Sequence, residues 1–296
     1  MMLSLLTLLT SIAEAREAAV ILVSDQLPEY EQTAKAFADS YPGLTQIIQI
    51  EGSKAKSIRI ANDLRNDPPP IIFAIGTKAA YTSIQKLDYI PCIYAMVHDP
   101  IKYGIYGDKV TGIMNHPSVD VTLAQVRLFI PKAKKIGIFI SDASNVEVPT
   151  DASEVAQEMS YSIEFIRVNT NEDIRKEMRN IHDRVDALWL MPDSTLITPD
   201  NFHTITMMAN RHRLPVITNS ERLAQAGALF SVIPDLNGIG QQAAELAVEI
   251  VKSETDFGGI TFTPEIPNVI FNPQTQRTIG LELDPFAEGF IDSWTR

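Results

Sequence analysis

The chain has 296 residues, 45% of them hydrophobic and 21% charged, a balance that excludes disorder and fibrous repeats and supplies apolar mass for large cores. At about 150 residues per domain, two compact units are expected. Lys and Arg total 25 against 37 Asp and Glu, a formal net charge of -12, so a phosphate backbone is repelled on average and nucleic acid is not an expected partner.

Met1 to Ala15 reads MMLSLLTLLTSIAEA, an apolar stretch from Leu3 to Ile12 followed by Ala13-x-Ala15 before Arg16. This is the pattern of a cleaved secretory signal, although no Lys or Arg precedes the apolar run. The stretch falls short of the ~20 apolar residues a bilayer span needs, so no membrane insertion is expected after cleavage near Ala15. No Cys follows it, which removes lipid attachment at a processed N-terminus and predicts a free periplasmic protein.

From Ala18 onward, short apolar runs alternate with longer amphipathic stretches, as when helices cover both faces of a parallel sheet. Strands are predicted at Ala19–Val23, Thr45–Ile50, Ile71–Ile75 and Cys92–Met96, with helices at Pro28–Ser40, Ser53–Asn66 and from Thr77 to about Leu87 between them. Tyr41-Pro42-Gly43 stops the first helix; Ser53 caps the second, which ends ahead of Pro68-Pro69-Pro70. After Val110-Thr111-Gly112-Ile113 the grammar restarts with helix Val119–Phe129 and strand Lys135–Ile140. Helix 152–159, strand 163–168, helix 173–181 and strand Ala187–Leu190 follow, then helix Pro199–Arg211 and strands 215–218 and 228–232. A long helix, Leu236–Lys252, and a strand-like tail, Val269-Ile270-Phe271, remain. The fold class is α/β, two doubly wound parallel-sheet lobes. Cys92 falls inside an apolar strand, where a small buried thiol is the expected reading.

Gly238-Ile239-Gly240-Gln241-Gln242-Ala243 satisfies G-x-G-x-x-A, but it lies late in the chain and no strand-terminal acid follows about 20 residues on, so no dinucleotide cofactor is expected. No phosphate-binding lysine loop, nucleophile elbow or H-E-x-x-H occurs, and the five histidines show no i,i+3 or i,i+4 pairing, so neither hydrolase chemistry nor a metal centre has support.

More informative are the predicted strand ends. Gly76-Thr77-Lys78-Ala79 links a strand directly to a helix, leaving unpaired backbone N–H groups that attract a carboxylate; an ordinary Thr cap is the rival reading. His98-Asp99-Pro100 and Pro192-Asp193-Ser194 each follow a strand, and an aspartate there pairs with a ligand ammonium or simply forms a turn. Ser24, Asn145 and Asn219 occupy the same kind of position.

The order of these strings resembles the solute-binding proteins of ABC transporters, the family whose better-known members take up aromatic amino acids. Ile75-Gly76-Thr77-Lys78-Ala79-Ala80, Tyr94-Ala95-Met96-Val97-His98-Asp99-Pro100, Val110-Thr111-Gly112 and Phe129-Ile130-Pro131-Lys132-Ala133 carry it, continued by Pro192-Asp193-Ser194-Thr195, Gly227-Ala228-Leu229 and Phe271-Asn272-Pro273. The resemblance implies a type I periplasmic-binding fold with three crossovers. It also implies capture of a small solute, such as an amino acid or related zwitterion, in an inter-lobe cleft by hinge closure, for delivery to an ABC permease. The implied division is a signal at 1–15, an N-terminal lobe of 16–115 with about 235–262, and a C-terminal lobe of 116–234 with about 263–296. By position, Thr77 to Ala79 would hold a ligand carboxylate, Asp193 its ammonium, and Asn145 with Ser194 further polar groups. A sensing subunit that feeds a membrane receptor is the alternative, and a doubly wound enzyme using Asp99 or Asp193 as acid or base is the third reading.

Overall fold

The structure, a computed structural model, describes residues 18–142, 152–191, 196–252 and 257–295. The chain divides into two units, residues up to Asn115 with Leu236–Phe262, and His116–Asp235 with Thr263–Arg296, so it passes from one to the other three times. The first segment runs β1 (Ala19–Val23), α1 (Pro28–Ser40), β2 (Thr45–Gln49), α2 (Lys54–Asn66), β3 (Ile72–Ile75), α3 (Thr77–Lys86), β4 (Cys92–Ala95) and β5 (Val110–Ile113). Next come α4 (Val119–Phe129), β6 (Lys135–Ile140), α5 (Ala152–Glu158), β7 (Ser162–Arg167) and α6 (Asn171–Met178). β8 (Ala187–Leu190), α7 (Pro199–Arg211), β9 (Val216–Thr218), α8 (Glu221–Gln225) and β10 (Phe230–Pro234) complete that stretch. α9 (Leu236–Val251) and β11 (Thr261–Phe262) return to the first unit, and β12 (Pro267–Phe271), α10 (Pro273–Ile279), α11 (Pro285–Glu288) and β13 (Ser293–Trp294) to the second.

Among the described residues the first unit holds a six-stranded sheet, order β11-β5-β4-β3-β1-β2, in which every pairing is parallel. The continuous apolar runs Ile72-Phe73-Ala74-Ile75 and Cys92-Ile93-Tyr94-Ala95 make its central strands, buried along their whole length because helices cover both faces. Thr45-Gln46-Ile47-Ile48-Gln49, with glutamines at 46 and 49, is the partly exposed edge. On one face Ile21, Val23, Phe73 and Ile93 pack with Phe37 of α1 and with Ile239 and Ala243 of α9, the Phe37 and Phe73 rings stacked at 4.8 Å. On the other, Leu22, Ile72 and Ala74 meet Ile60 of α2 and Ala80 and Ile84 of α3.

The second unit holds a seven-stranded sheet, order β13-β12-β10-β9-β8-β6-β7. Strands β6 to β10 are parallel, and Phe129, Phe230 and Phe271 form an aromatic trio with centroids 5.2 to 5.7 Å apart. The strand-like tail becomes β12, which pairs antiparallel to β10, so the second sheet is mostly parallel. β12 enters from β11 of the first unit rather than through a crossover helix of its own, so nothing forces a parallel approach. The helix predicted at 173–181 stops at Met178, and Ile181–Asp183 forms a separate 3-10 turn. No helix among the described residues is long and apolar enough to cross a membrane.

Cys92 is buried in β4, and burial pushes its thiol up to about 12, partly offset by a hydrogen bond with Ser83. Between its ordinary value of 9.0 and about 12 the unfolded chain releases the thiol proton while the folded chain keeps it. Folding therefore loses up to about 1.4 kcal/mol per pH unit from this group as pH rises through that window. Urea midpoints at about pH 8.5 and 10.5 check the sign. Cys92→Ala should show a smaller alkaline loss than the parent, and an equal loss would assign the effect to other groups.

Candidate carboxylate half-site on the first sheet

Because its strands are parallel, the first sheet brings the carboxyl ends of β1 to β5 to one edge, where α/β proteins place ligands. The backbone is unusual along this edge: Glu51, Gly52, Gly76, Met96 and Asp99 all have positive φ, between 55° and 83°. Non-glycine residues in that region cost on the order of 1–3 kcal/mol and concentrate where a fold positions chemistry.

The start of α3 shows how the edge is built. Gly76 is its N-cap at φ 83°, donates its N–H to Ala95 O of β4, and has no side chain to cap the helix. The cap comes instead from the residue after β1: Ser24 Oγ accepts the Ala79 N–H at 2.9 Å, and both residues are buried. A Cβ on Gly76 would stand 2.8 Å from Ser24 Oγ and from the Tyr30 hydroxyl, so only glycine lets these groups meet. Burial, and then the charges of Asp25 and Glu29, raise the Tyr30 phenol above its ordinary value, keeping it a proton donor. The Thr77 and Lys78 N–H groups open the helix with no acceptor among the described residues. Ala79, grouped by the resemblance with Thr77 and Lys78, already has its amide engaged by Ser24, which leaves two amides for an incoming anion.

Lys78 extends its ammonium to Asp25, 3.1 Å from both carboxylate oxygens. Sequence reasoning passed over Asp25, Tyr30 and Gly52. Their only sequence signal is a position just after a strand or at a helix start, which becomes informative once β1, β2 and β3 are known to be neighbours. Along the same edge, His98 is exposed and lies 3.0 Å, through Nε2, from Asn115 Nδ2, and Asp99 follows with φ 55°. His98 and Asp99 thus share the edge with Ser24 and Thr77, on a different strand end.

The model of the family described as ABC transporter substrate binding protein matches residues 42–283. The chain belongs to the ABC transporter substrate-binding protein family. A tyrosine-binding protein of Clostridioides difficile (strain R20291) is 25% identical over 232 residues, 75% of this chain and 66% of that relative's length. Among solved structures, the ligand-free, open form of a substrate-binding protein with adhesive properties from Clostridium difficile aligns with a TM-score of 0.70, at 19% identity over 95% of this chain and 100% of the other. An ABC domain in complex with L-Trp from Streptococcus pneumonia aligns at 0.53, with 17% identity over 93% and 99% of the two chains. The fold is the type I periplasmic-binding architecture.

In this substrate-binding protein the late glycine motif has a packing role. Gly240 sits where α9 crosses α1, and a Cβ there would lie 2.5 Å from Thr33 O and 2.8 Å from Phe37 N. On the second sheet, Asn219 follows β9 with its side chain committed at both ends: Oδ1 accepts Trp189 Nε1–H at 2.7 Å and Nδ2 donates to Val232 O at 2.9 Å. That clamp ties β8, β9 and β10 together. Asn145, Asp193 and Ser194 lie outside the described residues, as does the segment read as an export signal.

Proposed function

We propose that this substrate-binding protein is exported, cleaved near Ala15, and captures a small zwitterionic amino acid that it hands unaltered to an ABC permease. The observation that carries the reading is the start of α3, where the Thr77 and Lys78 amides have no acceptor among the described residues and lie at the positive end of a helix dipole, while Ser24 holds the third amide. Such an end takes one carboxylate through two charge-assisted hydrogen bonds, with the Thr77 hydroxyl beside them. Asp193 is the proposed partner of the ligand ammonium, with Asn145 and Ser194 as further polar contacts and Asp99 with His98 lining the same edge as Thr77. The tyrosine-binding relative and the L-Trp complex support an aromatic side chain on the ligand. Nothing in this arrangement calls for a nucleophile or a reacting bond; the work is selection and release.

A thermal-shift screen of the mature chain with L-tyrosine, L-tryptophan, L-phenylalanine and nucleosides tests this. A ligand at 100 times its dissociation constant adds about 2.7 kcal/mol to stability. An aromatic amino acid should raise the midpoint by several degrees, and Asp193→Ala should weaken it at least tenfold, about 1.4 kcal/mol. No shift with any amino acid would overturn the reading, and an unchanged affinity in the variant would remove Asp193 from it.

A further inference from the structure

Charge around the start of α3 is arranged in an unexpected way. The first turn of a helix favours acids, yet α3 carries none there and has Lys78 instead. Lys56, at the start of the neighbouring α2, is already paired with Glu51 at 2.6 Å. The Lys78 ammonium is paired instead with Asp25, which follows Ser24 just after β1. The two charges meet over Gly52, whose φ of 64° lets it turn just after β2; a Cβ there would stand 2.9 Å from both Asp25 Oδ1 and Lys78 Nζ. The pair thus occupies space that any other residue at position 52 would fill.

We propose that Asp25 sets the charge selectivity of the half-site, by holding Lys78 neutralised so that the start of α3 accepts one carboxylate and disfavours ligands with a second acidic group. This deepens the reading in which α3 binds the ligand carboxylate, and rests on it. With Asp25 in place, a bound anion meets two amides and a helix dipole, while a second acidic group meets the Asp25 carboxylate. With Asp25 removed, a full positive charge is freed beside the same two amides, and a dianion gains most. The pair is half-exposed, at 55% and 36%, so it adds little to stability and its loss leaves the fold intact. Asp25 therefore acts as a positioning residue, through Lys78.

The test compares L-tyrosine with L-glutamate and succinate by calorimetric titration of the mature full chain. Asp25→Asn should raise the affinity for glutamate and succinate relative to tyrosine by about tenfold. Gly52→Ala should do the same, because its methyl group displaces the pair. The double variant Asp25→Asn with Lys78→Met should return the ratio to that of the parent, a reversal that a merely structural role for Asp25 would not produce. If the parent binds tyrosine and Asp25→Asn leaves the ratio unchanged, the proposal is overturned while the binding reading stands. If the parent binds tryptophan or phenylalanine instead, that amino acid replaces tyrosine in the ratio and the same outcomes decide; if it binds no amino acid at all, both fall together.

Discussion

Replacing Gly240 by valine should cost the first unit most of its stability, and alanine alone should cost about 2–3 kcal/mol. The Cβ of either would stand 2.5 Å from the Thr33 carbonyl, 2.6 Å from Ala36 Cβ and 2.8 Å from the Phe37 amide. Two of these three atoms are helix backbone, which cannot step aside as a side chain does, so α1 and α9 must separate. Separation unseats Phe37, which is fully buried and stacked on Phe73. Overpacking of this kind costs about 1–3 kcal/mol where the surroundings yield. Here it is compounded by lost aromatic packing, against a typical total of 5–15 kcal/mol. Calorimetric melting of the alanine and valine variants measures it. A midpoint for Gly240→Ala within a degree of the parent would contradict so close a crossing of the two helices.

Asn272→Ala should cost about 1.5–2.5 kcal/mol in the second unit. The side chain does two jobs at a position only 5% exposed. Its Oδ1 accepts the Gln274 and Thr275 amides at 3.0 and 2.9 Å, capping α10 ahead of Pro273, and its Nδ2 donates to Ala224 O at 2.8 Å, fastening α10 to α8. Loss of an N-cap costs about 1 kcal/mol and loss of a buried hydrogen bond about 0.5–1.5, since Ala224 O keeps the Gly227 N–H at 3.1 Å. Asn272→Asp separates the two contributions, because it keeps the capping acceptor and loses the donor. Hydrogen exchange at Gln274 and Thr275 should quicken in the alanine variant and stay slow in the aspartate one. Slow exchange in both would show that α10 does not depend on this cap.

Where signals are local, the sequence predicts the elements closely. α1 begins at Pro28, a residue suited to a first helical turn, and ends before Tyr41-Pro42-Gly43; α4 and β6 have the predicted bounds. The antiparallel entry of β12 was not legible, since Val269-Ile270-Phe271 reads the same in either direction and only its neighbour fixes the sense. α8, five residues long, is too short to show a helical period. At the half-site, sequence position singled out Ser24 and Lys78 but not what they do. Ser24 reaches an amide 55 positions away and Lys78 a carboxylate 53 positions away, partnerships that arise only when β1 and β3 become neighbours in the sheet.

The late return of α9 to the first unit has a consequence for biosynthesis. A chain delivered amino end first presents β1 to β5 long before residues 239–247 exist to cover Ile21, Phe73 and Ile93. Throughout synthesis of the whole intervening segment that apolar face has only α1 over it, and the part left bare invites capture by a holdase until the ribosome supplies α9. The earliest strands to emerge are thus among the last to be sealed.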